Sequence, residues 1–164
     1  MRAFLFSALV LALVGCASVQ YSFTGVNAGA AKTVSVAFFE NQSSAPPTYS
    51  QQFTESLKDA ILRQTTLSMV VQNADIELEG EVKDYRQSLQ GVGGNDQAEV
   101  NRLIIKVNVR FINNLDNEKD YERVFQAYAD YDASENLANV ETDLILLINE
   151  QLSQDILTYS LGDW

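Results

Sequence analysis

Apolar residues recur at helical spacing in two separate stretches of the chain. The first begins at Thr48, which forms a capping-box pattern with Gln51, and extends to about Gln64. The second begins at Asn136 and extends to about Thr158. The apolar side chains of the two stretches are Phe53, Leu57, Ala60 and Ile61 in the first, and Val140, Leu144, Leu147, Ile148, Leu152 and Ile156 in the second. Each stretch is therefore predicted to be an amphipathic helix with one buried side.

Four other stretches favour β-strands. Residues 33–39 are rich in β-branched and aromatic residues, and residues 76–85, 102–111 and 121–131 alternate between apolar and polar positions. Glycines in residues 88–96 predict a long hairpin loop between the second and third strands. The predicted order is β-α-β-β-β-α. Because the alternating strands have one apolar face and the helices one apolar stripe each, we expect a two-layer α+β sandwich. Its sheet would be four-stranded and mostly antiparallel, with both helices on one face.

The first residues have the character of an export signal. A positive start at Arg2 precedes residues 3–14, which are apolar apart from Ser7 and too short to span a bilayer. The run ends Leu13-Val14-Gly15-Cys16, the pattern of a bacterial lipobox, and Cys16 is the only cysteine of the chain. We therefore expect Cys16 to be acylated and to anchor the protein to a membrane. The alternative is an ordinary signal peptide with an incidental cysteine.

This interpretation divides the chain into three parts. Residues 1–15 would be the lipoprotein signal peptide, residues 16–32 a lipidated tether, and residues 33–164 a single α+β domain. Ala17 follows the cysteine, and no cluster of acids follows it. That pattern favours the periplasmic face of the outer membrane.

Composition excludes several classes of function. The chain has 22 acidic and 11 basic residues, a formal net charge of −11, and no histidine. A strongly acidic chain is a poor nucleic-acid binder, so we expect no nucleic-acid partner. Without histidine, the commonest general base and the commonest zinc ligand are absent. The sequence therefore predicts no cofactor, no metal site and no histidine-dependent catalysis.

Carboxylates are the remaining catalytic groups in number. Glu77, Glu79 and Glu81 share one face of a predicted strand, roughly 7 Å apart at every second position. Two carboxylates at such a distance can act as acid and base on a glycan. This pattern leaves a carboxylate hydrolase of the envelope open, although a solvated sheet face is the simpler interpretation.

A row of cations occupies the predicted polar face of the sheet. The row comprises Lys83, Arg86, Arg102, Lys106 and Arg110. On an otherwise acidic molecule, such a row suits an anionic headgroup. The alternative is neutralisation between strands, with Glu81 opposite Lys106 and Glu77 opposite Arg110.

The order of several short motifs resembles the LptE family of lipopolysaccharide-assembly lipoproteins. The motifs are the lipobox with Cys16, Tyr21-Ser22-Phe23-Thr24-Gly25, Phe38-Phe39-Glu40-Asn41, Pro46-Pro47, the segment 50–58, Glu79-Gly80-Glu81-Val82-Lys83-Asp84-Tyr85, the segment 101–111 and Trp164. The resemblance implies a non-enzymatic α+β sandwich that plugs an LptD β-barrel, supports its assembly and helps pass lipopolysaccharide to the outer leaflet. It places the protein at the outer membrane, on the periplasmic side or in the barrel lumen. A binding module of another outer-membrane complex stays open as the alternative.

Overall fold

The computed structural model describes residues 28–90 and 100–162. The predicted signal peptide, the lipobox with Cys16, the loop glycines Gly91, Gly93 and Gly94, and Trp164 lie outside the described residues. The elements in chain order are β1 (Thr33–Val36), β2 (Glu40–Asn41), α1 (Tyr49–Gln64), β3 (Ser68–Met69), β4 (Ile76–Gln90), β5 (Val100–Asn113), a 3-10 turn (Asn117–Lys119), β6 (Tyr121–Asp132) and α2 (Leu137–Leu161). The α+β class and the order of the long elements are as the pattern predicts.

The sheet is larger and more mixed than the sequence predicts. In the described part of the chain it has six strands in the order β3-β1-β4-β5-β6, with β2 also paired to β4. The long strands β4, β5 and β6 are antiparallel, whereas β1 runs parallel to β3 and β4, and β2 runs parallel to β4. The expectation of a mostly antiparallel four-stranded sheet is therefore wrong in this detail. The helical crossover through α1 returns the chain to the same end of the sheet, and that connection makes the pairing parallel.

The first strand is shorter than predicted, and a second short strand follows it. Residues 33–39 hold only β1, and the chain leaves the ladder before β2 begins at Glu40. The break places Phe39 in the core, where its ring meets Phe53 of α1 edge-on at 5.0 Å between centroids. A small strand, β3, lies in the short apolar run after α1, which alternation alone does not identify.

Helix α1 lacks the predicted capping box. Thr48 has helical dihedral angles, and its side chain makes no cap hydrogen bond. Helix α2 begins as predicted, because the Asn136 side chain accepts a hydrogen bond from the backbone N–H of Ala138 at 3.0 Å. Its last turn stops before Gly162. Among the described residues, no helix is both long enough and apolar enough to span a membrane.

The core lies between the helices and one face of the sheet. Leu103, Ile105 and Val107 of β5 are fully buried, as are Leu57 of α1 and Ile148 of α2. These residues belong to one continuous apolar cluster. Both helices therefore cover the same face, as the sequence predicts. We call the opposite face of the sheet, turned away from the helices, the outer face.

A β-bulge interrupts the alternation of β4. Val82 pairs with Val107, but the next ladder pair is Asp84 with Lys106, so Lys83 is the extra residue. Beyond the bulge, Tyr85 lies opposite Ile105 on the side of the core. The sequence predicts strict alternation over residues 76–85, and the extra residue breaks that alternation at Lys83.

Candidate functional site on the outer face

Strand β5 carries three of the five candidate cations, one at every fourth position. Arg102, Lys106 and Arg110 alternate along the outer face with Ile104 and Asn108. The inward neighbours of these residues are buried, so the alternation fixes the cations outside. The structure therefore brings the predicted row together on one surface.

Arg102 is the most firmly held cation of the row. Its Nε and Nη2 atoms lie 2.6 and 2.8 Å from the two carboxylate oxygens of Asp130 on β6. The guanidinium also lies over the ring of Tyr128, 3.7 Å from the centroid. The hydrogen bond from Arg102 lowers the pKa of Asp130, and the same bond raises the pKa of Arg102. Arg102 is thus a fixed point of positive charge between two strands.

The other paired cations are held by carboxylates of β4. Arg110 contacts Glu79 at 3.1 Å, with most of its side chain still exposed. Lys83 contacts Glu81 and also donates to the side-chain oxygen of Gln42 at 3.1 Å. In a fourth pair, Arg86 contacts Asp84 at 3.4 Å. Exposed pairs of this kind contribute little to stability and exchange partners readily.

Lys106 differs from the rest of the row. Its ammonium group makes no hydrogen bond or ion pair with any of the residues that the structure describes. Its ladder neighbours are Asp84 on β4 and Gln126 on β6. Since Asp84 contacts Arg86 instead, Lys106 is a half-buried cation available to a ligand.

Neutralisation between strands does occur, but with other partners than the sequence predicts. Glu81 lies opposite Asn108, and Arg110 lies opposite Glu79. The expected pairs, Glu81 with Lys106 and Glu77 with Arg110, are therefore wrong. The reason is the position of the turn: β4 extends to Gln90 and β5 begins at Val100, so the hairpin is centred further along the chain than its glycines.

The three glutamates of β4 are all engaged. Glu77 accepts a hydrogen bond from the side-chain amide of Asn114 at 3.0 Å, while Glu79 and Glu81 form the ion pairs with cations already described. Within the described ranges, no group of three or more acidic or cysteine side chains is arranged to hold a metal ion. The arrangement forms a surface of paired charges.

The sequence pattern missed an apolar component of the outer face. Tyr128 and Val124 on β6 are about half exposed there, at 45% and 51%. Ile104 lies opposite Tyr128 in the ladder, and it is buried although it points to this face. Their even-numbered positions in β6 are the signal that could have identified them. The outer face therefore combines cations with an aromatic and aliphatic strip.

A groove lies elsewhere among the described residues, between α1 and α2. This groove has a volume of about 680 Å³, and acids such as Glu55, Asp59 and Glu150 stand at its rim beside Arg63. Among the residues that line it, no cluster suits an anionic ligand. Charge and geometry thus both favour the outer face for anion binding.

The fold and this face define a class of protein: a small α+β scaffold with one covered sheet face and one charged sheet face. A family model described as LptE, lipopolysaccharide assembly, matches residues 31–160. The chain therefore belongs to the LptE family, a family of non-enzymatic lipopolysaccharide-assembly proteins.

Solved structures support the fold. A minor lipoprotein of Acinetobacter baumannii superimposes with a TM-score of 0.51 at 18% identity, covering 80% of this chain and 96% of the other. A hypothetical protein of Chlamydia trachomatis gives a TM-score of 0.55 at 12% identity, with coverages of 77% and 94%. A protein of Xanthomonas campestris also gives 0.55, at 14% identity and coverages of 83% and 90%. No curated protein sequence matches the chain.

Proposed function

We propose that this protein is an outer-membrane lipoprotein that plugs an LptD-like β-barrel, supports assembly of that barrel and assists insertion of lipopolysaccharide into the outer leaflet. Membership of the LptE family is the observation that carries the proposal. The partner, the lipid and the location are the proposed parts. Acylation at Cys16 would hold the protein at the membrane.

The surface chemistry of the sandwich agrees with a plug. The outer face of the sheet is charged, and the lumen of a membrane barrel is polar, so the two surfaces are compatible. Helix α2 carries no lysine or arginine between Leu137 and Leu161 but four acids. Basic residues of a barrel wall would complement that helix.

The row of cations is the proposed contact for lipopolysaccharide. Its members are Lys83, Arg86, Arg102, Lys106 and Arg110. A lipid A phosphate arriving at Lys106 meets a cation with no partner among the described residues and displaces no existing pair. The neighbouring Tyr128 and Val124 add apolar surface on which an acyl chain can rest. Phosphate and acyl chain together form the amphipathic pattern of lipopolysaccharide.

Co-purification tests the proposed partner. Tagged protein extracted from solubilised outer membrane should bring the LptD-like barrel with it in a stable complex. We expect it to bury well over about 1,600 Å², because a plug is enclosed on several sides. Depletion should lower assembled barrel and surface lipopolysaccharide together.

The opposite result has a defined meaning. A monomer without the barrel, combined with normal barrel and lipopolysaccharide levels after depletion, overturns the proposal. That outcome would favour the alternative, a periplasmic-facing binding module of another outer-membrane complex.

A further inference from the structure

Strand β6 forms a long open edge of the sheet. It has 12 residues, and β5 is its only strand neighbour in the part of the chain that the structure describes. At the other side of the described sheet, β3 has only two residues. Along the edge of β6 that points away from β5, the backbone N–H and C=O groups therefore have no ladder partner among these residues. Such a row of groups is a template for another strand.

The edge lacks several of the devices that block strand addition. Proteins protect open edges with proline, with charged side chains and lysine above all, with bulges or with very short strands. Strand β6 contains no proline and no lysine, and its register with β5 runs without a shift from Tyr121 to Asp132. Val124 and Tyr128 present half-exposed apolar side chains along it. A regular and partly apolar edge of this length is suited to pairing with an extended segment.

We propose that the edge of β6 is a strand-addition site for an extended segment of a protein partner that carries lysine or arginine at alternating positions. The inference rests on the proposed function, because it takes the barrel protein as that partner. A closed barrel has no free strand edge, so the segment is a loop or a terminal extension of that protein.

Charge is the reason to expect a basic segment. Glu122 and Asp132, both on the outer face, are exposed near the two ends of β6. The one cation of the strand, Arg123, is held over the ring of Tyr159 at 4.3 Å from the centroid. Positive side chains at alternate positions of an added strand would face the acids on the same side of the sheet.

The same charges disfavour a second copy of this chain as the added strand. Two copies of β6 could pair antiparallel with the helices of both copies on the same side of the joined sheet. In that arrangement, even-numbered residues must lie opposite even-numbered residues. The two registers with the longest overlap place Glu122 opposite Asp130 or opposite Asp132. Like charges directly opposite each other destabilise a strand pair.

Single-residue hydrogen exchange of the purified protein, free and bound to the co-purified barrel, tests the inference. Amides of β6 that bond to β5 are protected in both states. We expect the intervening amides to exchange fast in the free protein and to become protected in the complex, with a period of two residues. A complex that forms without this periodic protection overturns the strand-addition site and leaves the plug intact. Absence of any complex overturns the proposed function, and the inference with it.

A matched pair of variants tests the sign of the charge. Gln126 is exposed at the centre of β6. Gln126→Lys should weaken the complex by about fivefold, whereas Gln126→Glu should preserve or strengthen it. Gln51→Lys, on the exposed side of α1, adds the same charge away from this edge and should leave the affinity unchanged. Equal affinities for Gln126→Lys and Gln126→Glu would rule out a basic segment.

Discussion

Tyr49 and Asn149 join the two helices through one buried hydrogen bond, although they lie 100 residues apart in sequence. The Tyr49 hydroxyl donates to Oδ1 of Asn149 at 2.8 Å, and both side chains are almost completely buried. Burial raises the pKa of Tyr49 well above its usual value, so the hydroxyl keeps its proton under all physiological conditions. The bond therefore fixes the position of α1 against α2.

Tyr49→Phe should destabilise the protein, because it removes the donor and leaves the Asn149 oxygen buried without a partner. The expected loss in the free energy of unfolding is about 1 to 3 kcal/mol. Urea denaturation followed by circular dichroism measures it. Tyr128→Phe, which changes a half-exposed ring on the outer face, is the control and should leave the midpoint nearly unchanged. Equal midpoints for Tyr49→Phe and the native chain would contradict the role of this bond.

Gly80 is required by a close approach of two strands. A Cβ at this position would lie 2.0 Å from the backbone oxygen of Asn108 and 2.7 Å from Cε1 of Phe39. Because the nearer atom belongs to the backbone, the strands themselves would have to move. Gly80→Ala should therefore lower the free energy of unfolding by about 1 to 3 kcal/mol, which is typical of overpacking. Thermal unfolding measures this loss. A variant as stable as the native chain would show that the two strands can move apart with little cost in stability.

Parts of this architecture could be predicted from the sequence because they depend on local pattern. The period of α2 and its start at Asn136 are properties of neighbouring residues, and both are confirmed. The pairing partners of Lys106 and Arg110 depend instead on where the hairpin turns and on the bulge at Lys83. Neither feature has a local signature, since both result from the packing of distant strands. For the same reason, alternation placed the cation row on one face but did not identify which cation lacks a partner.

Asp75 connects the start of β1 to the start of β4. The backbone N–H of Lys32 and the hydroxyl and backbone N–H of Thr33 donate to its carboxylate at 2.8 to 3.0 Å. These hydrogen bonds hold the pKa of Asp75 below its usual value, and the bond from the backbone N–H of Lys32 has the largest effect. Since the folded-state pKa is lowered, the stabilisation is present above the unfolded-state pKa of about 3.9 and is lost as the pH falls through the folded-state value.

Asp75→Asn should consequently show a stability deficit that depends on pH. The deficit in melting temperature should be largest at neutral pH and should shrink as the pH falls below about 3.9. Melting curves of both proteins across the acid range provide the measurement. Asp59→Asn, on the exposed side of α1, is the matched control and should show no such trend. A deficit for Asp75→Asn that stays constant with pH would contradict the assignment.

The cation row predicts salt-dependent binding of lipopolysaccharide. Replacing Arg102, Lys106 and Arg110 with glutamine should weaken binding and flatten its dependence on salt, because each desolvated charge-assisted contact contributes about 1.5 to 3 kcal/mol. Lys106→Gln alone should weaken binding without lowering the melting temperature, since Lys106 stabilises no partner among the described residues. Titration with purified lipopolysaccharide measures both. Unchanged binding by a folded triple variant would assign the row to pairing between strands alone.

The proposed anchor has its own test at Cys16. Cys16→Ser should accumulate as an unprocessed or soluble precursor, because the lipoprotein peptidase requires the modified cysteine. Intact-protein mass spectrometry of membrane and soluble fractions distinguishes the acylated form from the precursor. A native N-terminus at any other residue, without lipid, would refute acylation.

The extra residue at Lys83 has a consequence for the tolerance of β4 to length changes. The strand uses one parity for its core positions before the bulge, as at Leu78 and Val82, and the other parity after it, as at Tyr85. Deletion of Lys83 would therefore leave a regular ladder, in which Val82 and Tyr85 still face the core and Arg86 still lies on the outer face. Deletion of a residue far from the bulge, such as Glu77, would instead move the end of the strand to the opposite face. Lys83 is thus a position at which β4 can lose a residue and keep its phase.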